Sequence, residues 1–360
     1  MYKEIKSKVL SISYEDASIQ KLHTDNGSKK AILYKRFTPR AEIGDVILIN
    51  TTATELHLGT GGWDIVRSLF HHTEWESDES QGHIMKARYT PIQHSVLAVE
   101  AQESTYHSYF KKSFSLDGSL VWLAELHSMV PLFYYVSQVL QPGSSCCVIF
   151  DDQASLPLMM SDQLRRLEKE DTFHSISVGQ AFGAQYEAIT IASALQFAKE
   201  ILKADRILIS VGPGVIGTGT KYGFAGMALS HWSHTVSALG GKPIWIPRMS
   251  FAEQRTRHKG ISHHILTPLC EFTFKPAILP LPYMNDQEYQ IVLDQLNSYQ
   301  PYQANHNVIF SKEDYVSTVV KTALDQSPLP IQTMGRTFED DPIFFSAVAE
   351  AVRVGWEVQG

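Results

Sequence analysis

The sequence predicts a two-domain α/β protein. An N-terminal antiparallel, barrel-like β domain spans residues 1–115, and a three-layer α/β domain with a mostly parallel, Rossmann-like sheet spans residues 116–360. Three observations predict it. The chain has 360 residues, more than the roughly 100–200 typical of one domain. Its first third is dense in short segments of alternating polarity. From LDGS, residues 116–119, short β-rich runs alternate with longer segments whose apolar residues recur at helical spacing.

In the first third the runs KAILYKRF, GDVILIN, HIMKARYT and HSVLAVEA are separated by Gly, Asp, Asn, Thr and Pro, as in a small β barrel. GDVILINTT (44–52) reads as a turn feeding a buried strand, and LGTGGWDIV (58–66) as a glycine-rich loop feeding another. Tight turns explain both better than a ligand loop does. Beyond residue 116, LVWLAEL reads as a strand and MVPLFYYVSQVL as a helix. SCCVIF is a strand, MSDQLRRLEKE a helix capped by Ser161, and FHSISV a strand. YEAITIASALQFAKEILK follows as one long amphipathic helix, then RILISV as a strand, GFAGMALSHWSHTVSAL as a helix and KPIWIP as a strand. FKPAILPLP is a late strand, helices follow at about 285–298 and 312–325, and IFFSAVAEAVRVGW is the last helix.

Hydrophobic residues make up 44% and charged residues 19%, an ordinary globular balance. A net charge of −7 lacks the broad basic face of a nucleic-acid or membrane binder, so neither partner is expected. Cys146, Cys147 and Cys270 have no zinc or disulfide spacing, which suggests a reducing compartment. On a strand, Cys146 and Cys147 point to opposite faces as small buried hydrophobes. The start MYKEIKSKVLSISYED has no apolar signal core and no window approaches about 18 apolar residues, which reads as cytoplasmic. A homodimer is the base-rate expectation for assembly.

Ligands of open parallel sheets bind beyond the carboxyl ends of the strands, and the residues expected there are polar. Glu125, His127 and Ser128 follow LVWLA; Asp151 and Asp152 follow CCVIF; Gly179, Gln180, Gly183 and Glu187 follow ISV. After RILISV comes GPGVIGTGT, in which Gly212, Gly214 and Gly217 form a G-x-G-x-x-G between a strand and a helix, followed by Thr218, Gly219 and Thr220. Such a loop can cradle a phosphate, or its glycines can serve the turn alone. A nicotinamide dinucleotide is disfavoured, because Pro213 lacks an N–H and Arg248 rather than an acid follows the next strand. A Walker A loop is excluded, since Tyr222 and Gly223 stand where its GK[ST] ending would begin.

The densest chemistry is RTRHKGISHH, residues 255–264. Arg255 and Arg257, with Arg248 upstream, suit bidentate contact with phosphate or carboxylate, while His258, His263 and His264 can transfer protons near neutral pH. Vicinal His263 and His264 on a regular strand would not share one small ion, and HxxxxHH is no standard zinc spacing. A divalent metal stays open as an alternative, with Asp151, Asp152, Glu125 and Glu187 as candidate carboxylate ligands. So does a solvated basic loop leading to a helix that starts near Ser262. His94, His107, His174, His231 and His234 read as surface or satisfied core residues, and LFYYV (132–136) as core. Glu339, Asp340 and Asp341 precede a helix, where acids favour the dipole.

The motifs GHIMKARYTP, ELHSM, GQAFG, GPGVIGTGT, SFAEQRTRH and GISHH, in this order over about residues 40–282, resemble those of an uncharacterised bacterial family known as domain of unknown function 3866. The resemblance implies no activity and brings no catalytic residues. One block departs from the pattern: DDQASLP stands where the family reads closer to TDGAALP, so Asp151 replaces a threonine while Asp152 matches the acid.

The reading is an enzyme, a hydrolase or group transferase rather than an oxidoreductase, acting on a small anionic, phosphorylated or nucleotide-like metabolite. Gly212, Gly214, Gly217, Thr218, Gly219, Thr220, Arg248, Arg255 and Arg257 would hold the anion. His263, His264 or His258 would act as general acid or base, with Asp152 or Glu125 orienting it or binding a metal. The alternative is a non-catalytic ligand-sensing or partner-binding protein with the same anion pocket.

Overall fold

The computed structural model describes residues 1–58, 61–71, 74–76, 82–299 and 305–359. Positions 59 and 60 of the LGTGGWDIV segment lie outside these. The chain forms two compact units, Met1–Val96 and Leu97–Gly360. The first contains β1 (Glu4–Glu15), β2 (Ile19–Thr24), β3 (Lys30–Tyr34), β4 (Val46–Asn50), the short helix α1 (Thr52–Glu55) and β5 (Asp64–Leu69). The five strands close into a barrel in the order β1-β2-β3-β5-β4. β1 closes it: its first half pairs with β4 and its second half with β2. Register shifts at Val9/Ser11 and Ile12/Tyr14 let the strand bend between these partners. The β3–β5 contact is parallel and the others are antiparallel. Val9, Leu22, Ala31, Leu33, Ile47, Ile49, Val66 and Leu69 point inward, the alternation that the sequence of these strands carries. A separate hairpin pairs β6 (Ile84–Lys86) with β7 (His94–Val96).

The division falls at 96/97, upstream of the composition change near 116. Residues 97–115 belong with the second unit because they are built into it. Val99 N donates to Glu187 O (2.8 Å), and Tyr106, Phe110 and Phe114 pack against the same core as Val99 and Leu116.

The second unit contains β8 (Leu120–Leu123), α2 (Met129–Leu140), β9 (Cys146–Asp151), α3 (Asp162–Leu167), β10 (Phe173–Ser177), β11 (Tyr186–Glu187), α4 (Ile191–Gln196), β12 (Arg206–Val211) and α5 (Ala228–Ala238). It continues with β13 (Lys242–Trp245), β14 (Met249–Ser250), β15 (Gly260–Ile261), α6 (His263–Phe272), β16 (Ile278–Leu281), α7 (Asp286–Ser298), β17 (Asn307–Phe310), α8 (Ser317–Gln326) and α9 (Pro342–Gln359). Eight strands form one parallel sheet in the order β11-β10-β9-β12-β8-β13-β16-β17. β8, β9 and β12 are apolar almost throughout, as strands covered on both faces must be. α4, α5, α6 and α7 cover one face of the sheet, while α2, α3, α8 and most of α9 cover the other. Cys147 sits in the first core and Cys146 in the second, on opposite faces as the strand period requires. Burial raises both thiols, that of Cys146 to about 12, so neither is a ready nucleophile. Among the described residues no helix is long and apolar enough to cross a membrane.

One expected element is corrected. Residues 186–202 are not a single helix: Tyr186–Glu187 extend the sheet as β11, and α4 begins only at Ile191, where the Thr190 hydroxyl accepts from Ser193 N. A side-chain cap, not the apolar periodicity, sets that start.

Two details of this packing give predictions. Gly355 lies inside α9 with no room for a side chain, because an added methyl would overlap the Trp122 ring, itself held by an indole hydrogen bond to Ala351 O (2.8 Å). Helix propensity favours Gly355→Ala by about 1 kcal/mol, but overpacking a rigid indole costs about 1–3 kcal/mol, so net destabilisation is expected in a denaturant titration. His127 joins the loop after β8 to the end of β12, Nδ1 bonding Val211 O (3.0 Å) and Nε2 bonding Ser161 Oγ (2.7 Å), the residue that caps α3. Burial lowers its pKa to about 4. The unfolded chain therefore takes up this proton first as pH falls, so stability is lost between about pH 6.5 and 4 at up to about 1.4 kcal/mol per pH unit. His127→Gln should flatten that slope in urea titrations across the range; an unchanged slope would contradict the assignment.

Candidate functional site

Three neighbouring strands of the sheet end at the candidate site: β8 leads to Glu125, β12 to the glycine-rich loop and β13 to Arg248. The helices that follow β8 and β12 lie on opposite faces of the sheet. That reversal is where open parallel sheets bind ligands.

The stretch 255–264 is shaped by its one glycine. Thr256–His258 form a single 3₁₀ turn, Gly260–Ile261 pair with Met249–Ser250, and Ser262 caps α6. Gly260 has φ +72°, and a Cβ there would run into the Gln295 side chain. That side chain clamps the turn: its Oε1 accepts from Ile261 N (2.9 Å) and its Nε2 donates to Lys259 O (2.9 Å) and Ile261 O (3.1 Å). Only glycine satisfies both demands. Ser262 N donates to Arg248 O (2.9 Å), and Ser262 Oγ accepts from His264 N (3.2 Å).

His263 and His264 are thus the first two residues of a helix, not neighbours on a strand. Their rings lie together, with centroids 4.4 Å apart, and His258 stands 4.9 and 4.8 Å from them. The objection that vicinal histidines could not share an ion applied to a strand and is removed here. Each ring is held through Nδ1. His264 Nδ1 donates to Glu125 Oε1 (2.5 Å), His263 Nδ1 to Arg257 O (3.2 Å), and His258 Nδ1 bonds Ser262 Oγ (2.7 Å). Arg248 Nη1 donates to the same Glu125 oxygen (3.1 Å). Glu125, Arg248 and His264 are 2%, 8% and 6% exposed. Burial pushes the Glu125 carboxyl up, but Arg248 and His264 outweigh it and hold it below its usual range. Its second oxygen, Oε2, is buried with no hydrogen-bond partner among the described residues. Burial, helped by the Arg248 charge, drives His258 down to about 3, and burial with the His264 ring lowers His263, so both imidazoles are neutral at pH 7.

The glycine-rich loop meets this cluster. A Cβ at Gly217 would lie 3.4 Å from His264 Cε1 and 3.7 Å from its Nε2, and Phe224 stacks on the same ring at 3.9 Å. Thr218 N to Gly223 O and Ala225 N to Ile216 O (2.9 Å each) fold the loop back on itself, and the Thr218 and Thr220 hydroxyls pair within it (2.9 Å). Gly219 faces the Arg257 guanidinium, 3.6–3.7 Å from where its Cβ would be. Gly212 instead packs against the Ser155 carbonyl, and Gly214 takes φ +92° in the turn. The glycines do not open a helix: α5 starts only at Ala228, after a 3₁₀ turn at Ala225–Met227. The fingerprint geometry, with a phosphate at a helix N-terminus, is therefore not formed.

The three arginines differ. Arg248 is internal, paired with Glu125, and does not reach outward as a phosphate-ribose contact would. Arg255 is engaged by Glu253 through Nε (3.0 Å) and Nη2 (2.7 Å). Arg257 is exposed and has no acidic partner among the described residues. The remaining acids serve other loops. Asp152 Oδ2 accepts from Gln180 N (2.8 Å), Asp151 accepts from the Trp232 indole, and Glu187 accepts from Ser177 Oγ (2.6 Å) and Gly183 N (2.8 Å). Asp341, expected only to favour a helix dipole, accepts from Ser250 Oγ (2.6 Å) and pairs with Arg336. It lines, with Phe251, Tyr283, Asp314 and Asp340, a hollow of about 310 Å³ to which none of the three histidines contributes. Phe224 and Gln295 were not foreseen, and nothing in their local sequence marks them, since their roles arise only from the turn they meet.

A family model described as Protein of unknown function (DUF3866) matches residues 30–352. No curated protein and no solved structure matches the chain. The match spans most of both units, and the chain belongs to the DUF3866 family of proteins of unknown function.

Proposed function

We propose that the protein is a hydrolase or group transferase acting on a small anionic metabolite, phosphorylated or nucleotide-like. Arg257 carries this reading: an exposed guanidinium with no acidic partner among the described residues, lying against the glycine loop beside the histidine cluster. Such a group is suited to bidentate contact with phosphate or carboxylate. The glycine at 219 keeps the approach to it clear of side chains.

The chemistry would come from the imidazoles. With Nδ1–H donated to the Arg257 carbonyl, the neutral His263 presents an unprotonated Nε2, and His264 is oriented beside it by Glu125. A carboxylate that orients a histidine in this way is the support a general base needs. Buried ionisable groups such as Glu125 and Arg248 are expensive to maintain for stability alone, which favours a functional reading. The Nε2 lone pair either accepts a proton from the attacking group or holds an ion that activates it.

The test is a thermal-shift screen of phosphorylated metabolites and nucleotides, run with and without added zinc. A ligand at about 100 times its Kd should stabilise the native protein by roughly 2.7 kcal/mol. Arg257→Ala should weaken that ligand about tenfold or more, the loss of about 1.5 kcal/mol expected for a charge-assisted contact. Arg255→Ala should leave it unchanged, because Glu253 already occupies that guanidinium. His263→Ala should bind and fail to turn over. No shift with any anion, or equal affinity in Arg257→Ala, would contradict the proposal, and binding without turnover by the native protein would point to a sensor.

A further inference from the structure

We infer that His258, His263 and His264 together hold one divalent metal ion of the zinc class, each through one ring nitrogen. Three independent features point there. Each imidazole offers a ligating nitrogen, and these nitrogens lie within 4.8 Å of one another. Bonds of about 2.1 Å in a tetrahedral site would set the nitrogens about 3.4 Å apart, so the widest pair closes by about 1.4 Å.

The second feature is the outer partners. Histidines that ligate metals commonly give their other nitrogen to a carboxylate, a backbone carbonyl or a hydrogen-bonded group, which fixes ring and tautomer. Here Glu125, the Arg257 carbonyl and the Ser262 hydroxyl take those three places, one for each ring. Proton transfer needs one such arrangement; three converging together are what a metal needs. The third feature is Glu125 Oε2, buried and without a hydrogen-bond partner among the described residues. A cation beside His264 would offset that uncompensated oxygen electrostatically without direct ligation. Neutral imidazoles suit zinc, copper, nickel or iron, whereas magnesium and calcium require oxygen ligands.

Three histidines leave a coordination position open, the pattern of catalytic rather than structural sites. Arg257 adds a positive group at the rim. Such a centre attracts an anion and lowers the pKa of a bound water. The inference rests on the proposed function only for its substrate; the ion itself is argued from the three rings.

The test uses no anion. Chelator-treated full-length protein is titrated with Zn²⁺ by calorimetry and with Co²⁺ by visible absorption. One ion per chain is expected, with the intense visible bands of low-coordinate cobalt. His258 and His264 are buried and their variants risk unfolding, so His263→Ala is the decisive variant, with its fold checked by circular dichroism. It should weaken binding at least tenfold and abolish the cobalt bands. Glu125→Gln should weaken it about 10- to 100-fold, and Arg257→Ala should leave it intact, since the variant keeps the backbone carbonyl that holds His263. No ion bound by the native protein, or equal binding by folded His263→Ala, would overturn the inference. Failure here leaves the anion proposal standing, and loss of anion binding with intact metal binding leaves this one standing.

Discussion

The carboxylate of Glu125 is the constraint on which the candidate site depends: nearly sealed from solvent, it accepts hydrogen bonds from both Arg248 and His264, and its position follows from β8 lying between β12 and β13. Removing one partner of such a buried pair costs about 3–5 kcal/mol, whereas an apolar replacement of the whole set is often neutral. The arrangement therefore adds little that a hydrophobic core could not supply. What it adds is orientation, because Glu125 sets the direction of the His264 ring and Arg248 holds the carboxylate in place.

The same economy runs through the turn that brings the histidines together. Gly260 accepts a left-handed backbone, Gln295 from α7 clamps the chain on either side of it, and Ser262 starts α6. The change from extended chain to helix at residue 262 puts two sequential histidines and a third, five residues before the first of them, in mutual contact. The positive groups nearby and the burial keep His258 and His263 neutral, which suits lone-pair chemistry and not storage of a proton.

Much of this was legible in the sequence because it is local. Apolar runs such as CCVIF and RILISV read as buried strands, and the polar residues after them mark the edge where the candidate site lies. Ser161 and Ser262 announce their helices as caps. What was not legible depends on distant pairing. The apolar rhythm of residues 186–202 hides a two-residue strand, which exists only because β10 lies beside it. Arg248 and Arg255 look like free anion ligands until Glu125, 123 residues away, and Glu253 occupy them. Asp152 stands at the right strand end but turns to Gln180, and Gln295 carries no signal at all at 34 residues from the turn it holds.

The central claim is that three histidines, each anchored by a hydrogen bond at Nδ1, are gathered so that one nitrogen of each can meet a single ion. The most direct measurement is the tautomeric state of His263 and His264 in the metal-free protein at neutral pH, read from the long-range ¹⁵N–¹H correlations of histidine-labelled protein. The account predicts that both rings carry a proton on Nδ1, donated to the Arg257 carbonyl and to Glu125, with Nε2 of His263 free. Neutral rings with their protons on Nε2 instead of Nδ1 would remove both anchoring hydrogen bonds and would contradict it.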